Sequence, residues 1–181
     1  MLHTTMGYLR LLMPFIYLVG VWKLGDWKNR RNYYPTILFY LSVSFGISYL
    51  TSNYPLWRYQ PTPFIPNHKI ADFLLTLTTY ISVVFLYLSH YPYKSSKKRQ
   101  VFYLFGCLLF LSIIEGVFRL GRLMEYYHGW NYPWSIVVWL FTLIGVRVHL
   151  SKPIWAWLLC IVCTMFLILF FHIPVTKSTN F

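Results

Sequence analysis

The sequence predicts an all-α protein, a polytopic transmembrane helical bundle of about six helices in which residues 1–181 form a single membrane domain. Composition is the first reason, because 57% of the residues are hydrophobic and only 11% are charged. So few charged side chains cannot solvate the surface of a soluble domain of this length. The second reason is that the apolar residues form long continuous blocks, whereas a membrane β-barrel alternates polar and apolar residues.

Six apolar blocks divide the chain, and each is close to the roughly 20 residues that an apolar helix needs to cross a bilayer. The predicted helices cover residues 7–24, 34–52, 70–89, 101–118, 133–148 and 154–173. Short connections separate the blocks, without a soluble domain or a sequence repeat. One alternative stays open at the end of the chain. If the last two blocks form a single re-entrant hairpin, the C-terminus remains on the same side of the membrane.

The basic residues predict which side of the membrane each connection faces. Sixteen Lys and Arg stand against four Asp and Glu, which gives a net charge of +12. Basic loops tend to remain cytoplasmic, and the connections after the first, third and fifth blocks hold ten of these residues: Lys23, Lys28, Arg30, Arg31, Lys94, Lys97, Lys98, Arg99, Arg147 and Lys152. Both termini are therefore predicted outside, with the basic clusters at anionic headgroups. Because these charges lie between apolar blocks, no nucleic-acid partner is expected.

A carboxylate in the fourth block is the strongest indication of a functional site. Residues 101–118 read VFYLFGCLLFLSIIEGVF, and Glu115 is the only charged residue among them. A charge inside such a helix is costly unless it faces protein, a partner or water. Under the predicted orientation Glu115 lies in the outer leaflet, about 21 Å along the helix axis at 1.5 Å per residue. Asp72, near the start of the third block, is predicted at a similar depth.

Two interpretations of Glu115 follow from its neighbours. Arg119 and Arg122 follow at i+4 and i+7 on the same helical stripe, and Glu before Arg at i+4 favours an ion pair. Arg119 would then neutralise Glu115 while extending to the interface. The second interpretation is a ligand-binding or catalytic carboxyl, suited to proton transfer or to recognition of a cationic or hydroxylated headgroup.

The stretch from Tyr126 to Trp134 is dense in aromatic residues. Trp and Tyr favour the headgroup zone of a bilayer, so an interfacial belt is the ordinary explanation. The density also suits a cleft for an acyl or prenyl chain, and we therefore count Tyr127, Trp130 and Trp134 among the predicted ligand-binding residues. His128 is either an interfacial residue or the base partner of a Glu115 site.

Neither a metal ion nor a cofactor is expected. His68 and Asp72 are spaced as a metal-binding pair, but an acid near a helix N-terminus is already favoured by the helix dipole. No second His–carboxylate pair lies nearby in the sequence to complete a metal site. A haem needs two facing histidines at matched depth, a condition that His90 and His149 meet only loosely.

Several short motifs occur in a distinctive order between residues 50 and 150: Tyr54-Pro55, Asp72, Tyr91-Pro92, Ile113-Ile114-Glu115, Tyr127, Trp130-Asn131 and Trp134. This series resembles a family of small polytopic membrane proteins of spore-forming Bacillota, chiefly bacilli and clostridia, that has no known activity. The resemblance implies a five-helix core, to which the sixth block is an addition, in a bacterial cytoplasmic membrane with a link to sporulation. The family pattern has a second Glu four residues after the first. Arg119 stands there in this chain, which favours an internal ion pair over a two-carboxylate mechanism.

Three classes of function fit these observations. The leading hypothesis is a non-enzymatic membrane protein whose outer-leaflet pocket around Glu115 binds a partner protein, a lipid or a small molecule. The second is a small membrane enzyme acting on a lipid or isoprenoid, with Glu115 as general acid or base assisted by His128 and Asp72. That mechanism requires all three side chains at one cavity. The third is the substrate-binding component of a transporter, although the first block lacks an alanine-rich docking face.

Overall fold

The computed structural model describes residues 2–60 and 67–174, and within them the chain forms a bundle of six helices. The helices are α1 (Leu2–Leu24), α2 (Arg30–Leu50), α3 (His68–Leu75 continuing through Thr76–Tyr80 to Ile81–His90), α4 (Lys97–Leu120), α5 (Tyr132–His149) and α6 (Pro153–Phe170). The predicted all-α bundle is confirmed, and each predicted block corresponds to one helix with ends that differ by a few residues.

Four of the described helices are long and apolar enough to cross a membrane: α3 from Lys69, α4, α5 and α6. In α1 the described apolar stretch is the shorter Leu12–Leu24. The polar residues of α2 exclude it from this group, and several of them face protein. Thr36 is buried and contacts the His149 ring, while Ser44 and Ser48 line a cavity. The most polar residues of α2, Arg30, Arg31 and Asn32, are exposed at the start of the helix, so α2 carries polar groups on both its outer and its inner faces.

Capping residues explain where α3 and α5 begin. The Asn131 side chain accepts a hydrogen bond from the Trp134 backbone N–H, and Pro133 lies in the first turn of α5, where a missing N–H costs little. Asn67 caps α3 by accepting from the Lys69 N–H at 2.9 Å. Asp72 lies beyond the first turn of α3. The explanation of Asp72 as an acid that stabilises the helix N-terminus is therefore replaced by a role inside the bundle.

Burial distinguishes a central helix from a peripheral one. Of the apolar span of α3, 44% is buried inside the protein, against 11% for α6. The main core joins α2, α3, α4 and α5 through residues such as Tyr33, Leu88, Leu108 and Val146. The outer faces of α4 and α6 instead expose large apolar side chains, which is the pattern of helices that face lipid rather than water.

A short antiparallel sheet joins the two connections that were predicted on the outer side. Strands β1 (Trp57–Tyr59) and β2 (Met124–Tyr126) pair with Trp57 opposite Tyr126 and Tyr59 opposite Met124. The sheet therefore links the α2–α3 connection to the α4–α5 connection at one end of the bundle. The sequence did not predict these strands, because three-residue strands in aromatic loops are too short to show a period-2 pattern.

Candidate functional site

Glu115 faces the interior of the bundle and is only 8% exposed. Its Oε1 accepts a hydrogen bond from the Tyr126 hydroxyl at 2.6 Å, and its Oε2 accepts one from the Trp139 indole N–H, also at 2.6 Å. The donors come from β2 and α5, so the carboxylate links three separate elements. A buried carboxylate requires such partners because its desolvation is costly. Hydrogen bonds to a charged group are also stronger than those between neutral groups.

The predicted ion pair between Glu115 and Arg119 is not the arrangement in the structure. Arg119 is exposed, and its guanidinium carbon lies 4.7 Å from the centroid of the Tyr126 ring. The arginine therefore acts on the carboxylate through the tyrosine that donates to it. Arg122 also departs from the predicted stripe, because α4 ends at Leu120 and Arg122 is an exposed residue with φ of 53°.

Tyr126 connects Glu115 to a longer hydrogen-bonded chain. The Trp130 indole N–H donates to the Ser135 hydroxyl at 2.9 Å, and Ser135 donates to the Tyr126 oxygen at 3.3 Å. Tyr126 in turn donates to Glu115. Burial and this last hydrogen bond raise the pKa of the Tyr126 hydroxyl, so it remains a proton donor at neutral pH. The predicted ligand residue Trp130 thus supports the donor to the carboxylate.

Glu115 and Asp72 line the same cavity, which has a volume of about 110 Å³. The cavity lies between α2, α3, α4 and α5, and residues of the sheet form part of its wall. Hydroxyl groups and aromatic rings make up much of the remaining wall: Tyr40, Ser44, Ser48, Trp57, Tyr59, Thr76, Tyr80, Trp130, Ser135, Trp139 and Thr142. We refer to this space as the carboxylate cavity. Two acidic residues that are far apart in sequence therefore line one cavity.

A π-helical turn shapes one wall of the carboxylate cavity. It covers Thr76–Tyr80, at the centre of α3, and begins one turn after Asp72. Thr76 is buried, and the Tyr80 hydroxyl is hydrogen-bonded to that of Tyr59 on β1. Tyr80 also packs edge-on against Trp139, with 5.7 Å between the ring centroids. A π turn widens a helix locally and is frequent at functional sites.

His128 is not among the residues that line the carboxylate cavity. It is exposed, its Nδ1 donates to the Pro55 carbonyl at 2.8 Å, and its ring stacks on Tyr54 at 3.6 Å. His128 and Gly129 both have left-handed φ angles, 53° and 81°, in a turn closed by the Trp130 N–H and the Tyr127 carbonyl. The structure therefore brings Asp72 and Glu115 together but leaves His128 on the loop surface, where it fastens two connections.

Two other predicted ligand residues lie outside the carboxylate cavity. The Tyr127 hydroxyl donates to Glu125 at 2.8 Å in the loop region. Trp134 packs against Phe166, Phe170 and Phe171 and lines a separate apolar cavity of about 380 Å³ between α2, α5 and α6. The two cavities share Tyr40, Val43, Ile47, Val138 and Thr142 as a common wall. Trp134 therefore belongs to the apolar surroundings of the site.

Trp139 is the residue that sequence reasoning missed. Its position in the sequence could have identified it. Trp residues of an aromatic belt lie at helix ends, whereas Trp139 is near the middle of α5. An indole N–H at that depth needs an acceptor. Glu115 is that acceptor.

The described residues contain no group of three or more His, Cys, Asp or Glu that could hold a metal ion. The His68 side chain lies outside the described part of the structure, so the pairing of His68 with Asp72 stays an interpretation of the sequence. His149 contacts the Thr36 hydroxyl at 3.0 Å, and His90 donates to the Leu86 carbonyl.

Comparison with known proteins gave no match among family models, curated proteins or solved structures. The resemblance to the Bacillota family therefore stays a prediction from motif order, and the geometry of the site is the basis for the proposals that follow.

Proposed function

We propose that this chain is an integral protein of a bacterial cytoplasmic membrane that binds the cationic headgroup of an amphipathic molecule in the carboxylate cavity. All six helices lie in the membrane in this proposal, with both termini and the sheet outside. The observation that carries it is that Asp72 and Glu115 line one cavity. A cation placed there offsets the repulsion between two carboxylates in a medium of low dielectric constant.

The shape and chemistry of the cavity support a small polar headgroup. Its volume of about 110 Å³ is several times the ~10–15 Å³ that one water molecule requires by the same measure. An ionised carboxylate offers about four acceptor positions, and only two hydrogen bonds to Glu115 come from described residues. A protonated amine carries three donors, which Glu115, Asp72 and the nearby hydroxyl groups are able to accept.

The acid–base enzyme receives less support from this geometry. Its mechanism needs Glu115, Asp72 and His128 at a common cavity, and His128 instead donates to Pro55 at the surface. A binding function uses only the groups that the structure brings together. We therefore propose binding in preference to catalysis assisted by His128.

The proposal is tested with dodecylammonium as the probe, added to the purified full-length protein in a neutral detergent. Ligands that bind the folded state raise its thermal stability by mass action. We expect dodecylammonium, but not dodecanol, to raise the Tm, and we expect Glu115→Gln and Asp72→Asn each to weaken binding by about tenfold. Glu125→Gln is the control for loss of a carboxylate from the same end of the bundle, because Glu125 lies in β2 but does not line the carboxylate cavity.

Two results would contradict the proposal. One is equal binding of dodecylammonium by the wild type and by a folded Asp72→Asn protein. The other is an equal response to dodecanol, which would show that hydrocarbon alone is recognised.

A further inference from the structure

A second polar cavity adjoins the carboxylate cavity on the side of the loops. It has a volume of about 240 Å³ and lies between the end of α2, strand β1 and the start of α3. We refer to it as the vestibule. It shares Ser48, Trp57, Tyr59, Asp72 and Thr76 with the carboxylate cavity. Asp72 therefore borders both spaces, whereas Glu115 lines only the carboxylate cavity.

The vestibule contains two basic side chains, Arg58 and Lys69. The Nε atom of Arg58 is buried and makes no hydrogen bond within the described residues, although the guanidinium lies 5.8 Å from the centroid of the Tyr127 ring. A buried N–H without an acceptor is energetically costly. Because Arg58 lines the vestibule, its planar guanidinium, which matches the geometry of phosphate, is able to bind a phosphate there through groups other than the buried Nε atom.

The charges therefore follow a fixed order from the vestibule inward. Arg58 and Lys69 line the vestibule, Asp72 lines both cavities, and Glu115 lines the carboxylate cavity. A ligand complementary to this order carries a negative group next to a positive one. A phosphate joined by a short spacer to a primary ammonium meets that requirement, whereas a simple anion or a simple cation satisfies only half of it.

The outer rim of the vestibule is apolar and faces the bilayer. Phe45 of α2 and Phe73 of α3 line it with stacked rings 5.7 Å apart, and Phe73 is 52% exposed. Hydrocarbon chains attached to the phosphate are able to stay on this outer face while the headgroup enters between α2 and α3. The separate apolar cavity lies beyond the carboxylates and is not needed for the chains.

We infer that the vestibule and the carboxylate cavity together bind the headgroup of a zwitterionic phospholipid that ends in a primary amine. The phosphate lies at Arg58 and Lys69, and the ammonium lies between Asp72 and Glu115. This inference rests on the proposed function and adds the class of ligand to it. A primary amine is favoured over a quaternary one, because carboxylate and hydroxyl acceptors reward N–H donors.

The test compares three short-chain lipids on the full-length protein in neutral detergent: dihexanoyl phosphatidylethanolamine, phosphatidylcholine and phosphatidylglycerol. Binding is followed by intrinsic tryptophan fluorescence, since Trp57, Trp130 and Trp139 line the carboxylate cavity. We expect the ethanolamine lipid to bind about tenfold more tightly than the other two. Equal binding of the three lipids would overturn the inference.

Arg58→Gln separates this inference from the proposed function. It is expected to weaken binding of the ethanolamine lipid by about tenfold but to leave dodecylammonium binding within about twofold, because dodecylammonium has no phosphate. Arg31→Gln, at the exposed start of α2, is the matched control. If Arg58→Gln does not fold, Lys69→Gln takes its place, because Lys69 is exposed.

The outcomes are distinguishable. In one outcome Glu115→Gln loses dodecylammonium binding, while Arg58→Gln and Lys69→Gln bind the ethanolamine lipid as the wild type does. That outcome would retain the proposed function and overturn the zwitterion inference. If Glu115→Gln and Asp72→Asn leave dodecylammonium binding unchanged, both the proposed function and the zwitterion inference are overturned. The last probe is soluble glycerophosphoethanolamine, which has the same headgroup without hydrocarbon chains. If the protein binds it as tightly as the lipid, the ligand is a free phosphoamine and the inference of a lipid ligand is overturned.

Discussion

Glu115 is held by two short hydrogen bonds whose donors, Tyr126 and Trp139, belong to different elements. Each donor is a ring that also forms part of the packed wall around the carboxylate. Loss of one donor leaves a buried charge with half of its described partners, and that is more costly than loss of a hydrogen bond at the surface. The stability of this end of the bundle therefore depends on the two rings as donors as well as on their volume.

Trp139→Phe tests this dependence, because it removes the indole N–H while retaining an aromatic ring. We expect a loss of about 1.5–3 kcal/mol in unfolding free energy, the range for hydrogen bonds to charged groups, with a further contribution from the smaller ring. The measurement is reversible unfolding in mixed micelles. Trp155→Phe on the exposed face of α6 is the control, since Trp155 is 64% exposed. Similar losses for both variants would contradict the assignment.

The prediction for Glu115 shows where local sequence reasoning reaches its limit. The i, i+4 spacing predicted Arg119 as the partner of Glu115, but in the structure Arg119 lies over the Tyr126 ring, while Tyr126 and Trp139 donate to the carboxylate. Trp139 is 24 residues away in sequence, and its approach is decided by how α4 packs on α5. Burial of Glu115 was predictable from hydropathy, whereas its partners required the tertiary structure.

At the scale of elements, the helices were predictable because each contains a predominantly apolar block between more polar connections. The π turn at Thr76–Tyr80 and the sheet were not, since neither has a hydropathy signal. Both nevertheless shape the carboxylate cavity, as Thr76 and Tyr80 line it from the turn and Trp57 and Tyr59 from the sheet. The residues that give the site its form are therefore those that hydropathy describes least well.

Gly145 in α5 offers a test of packing beside the site. It is buried and lines the apolar cavity, and a Cβ added there meets no heavy atom within 4 Å. Since glycine inside a helix costs about 0.5–1 kcal/mol relative to alanine, Gly145→Ala is expected to raise the unfolding free energy by a similar amount.

Thermal unfolding of the wild type and Gly145→Ala in the same detergent measures this gain. Gly25→Ala is the contrasting variant, because an added Cβ would lie 2.4 Å from the Val21 carbonyl oxygen and from a ring atom of Phe85. We expect that variant to lose stability. A loss in Gly145→Ala would show that the apolar cavity has no room for the methyl group.

At the scale of the whole molecule, the sheet brings the α2–α3 and α4–α5 connections to one end of the bundle. The proposed orientation places this end outside the cell and the basic connections after α1, α3 and α5 in the cytoplasm. The charge bias of the sequence supports that orientation, and the sheet requires only that the two connections share a side. The carboxylate cavity and the vestibule then open toward the outer leaflet.

Thiol labelling in intact cells tests the orientation. Asn53→Cys, at an exposed position before β1, is expected to react with a membrane-impermeant maleimide, and Ser96→Cys, exposed before α4, only after permeabilisation. The three native cysteines are partly buried within helices, and the wild-type chain supplies the background signal. The reverse labelling pattern would invert the proposed topology and move the ligand to the inner leaflet.

The peripheral position of α6 has a consequence for which substitutions reach the carboxylate cavity. Among the described residues that line the carboxylate cavity, none comes from α6. The helix packs along α5 and the rings around Trp134, and its Leu167 belongs to the same buried cluster as Trp130. Substitutions on the exposed outer face of α6 are therefore expected to leave the carboxylate cavity intact, whereas a change at Leu167 reaches that cavity through Trp130.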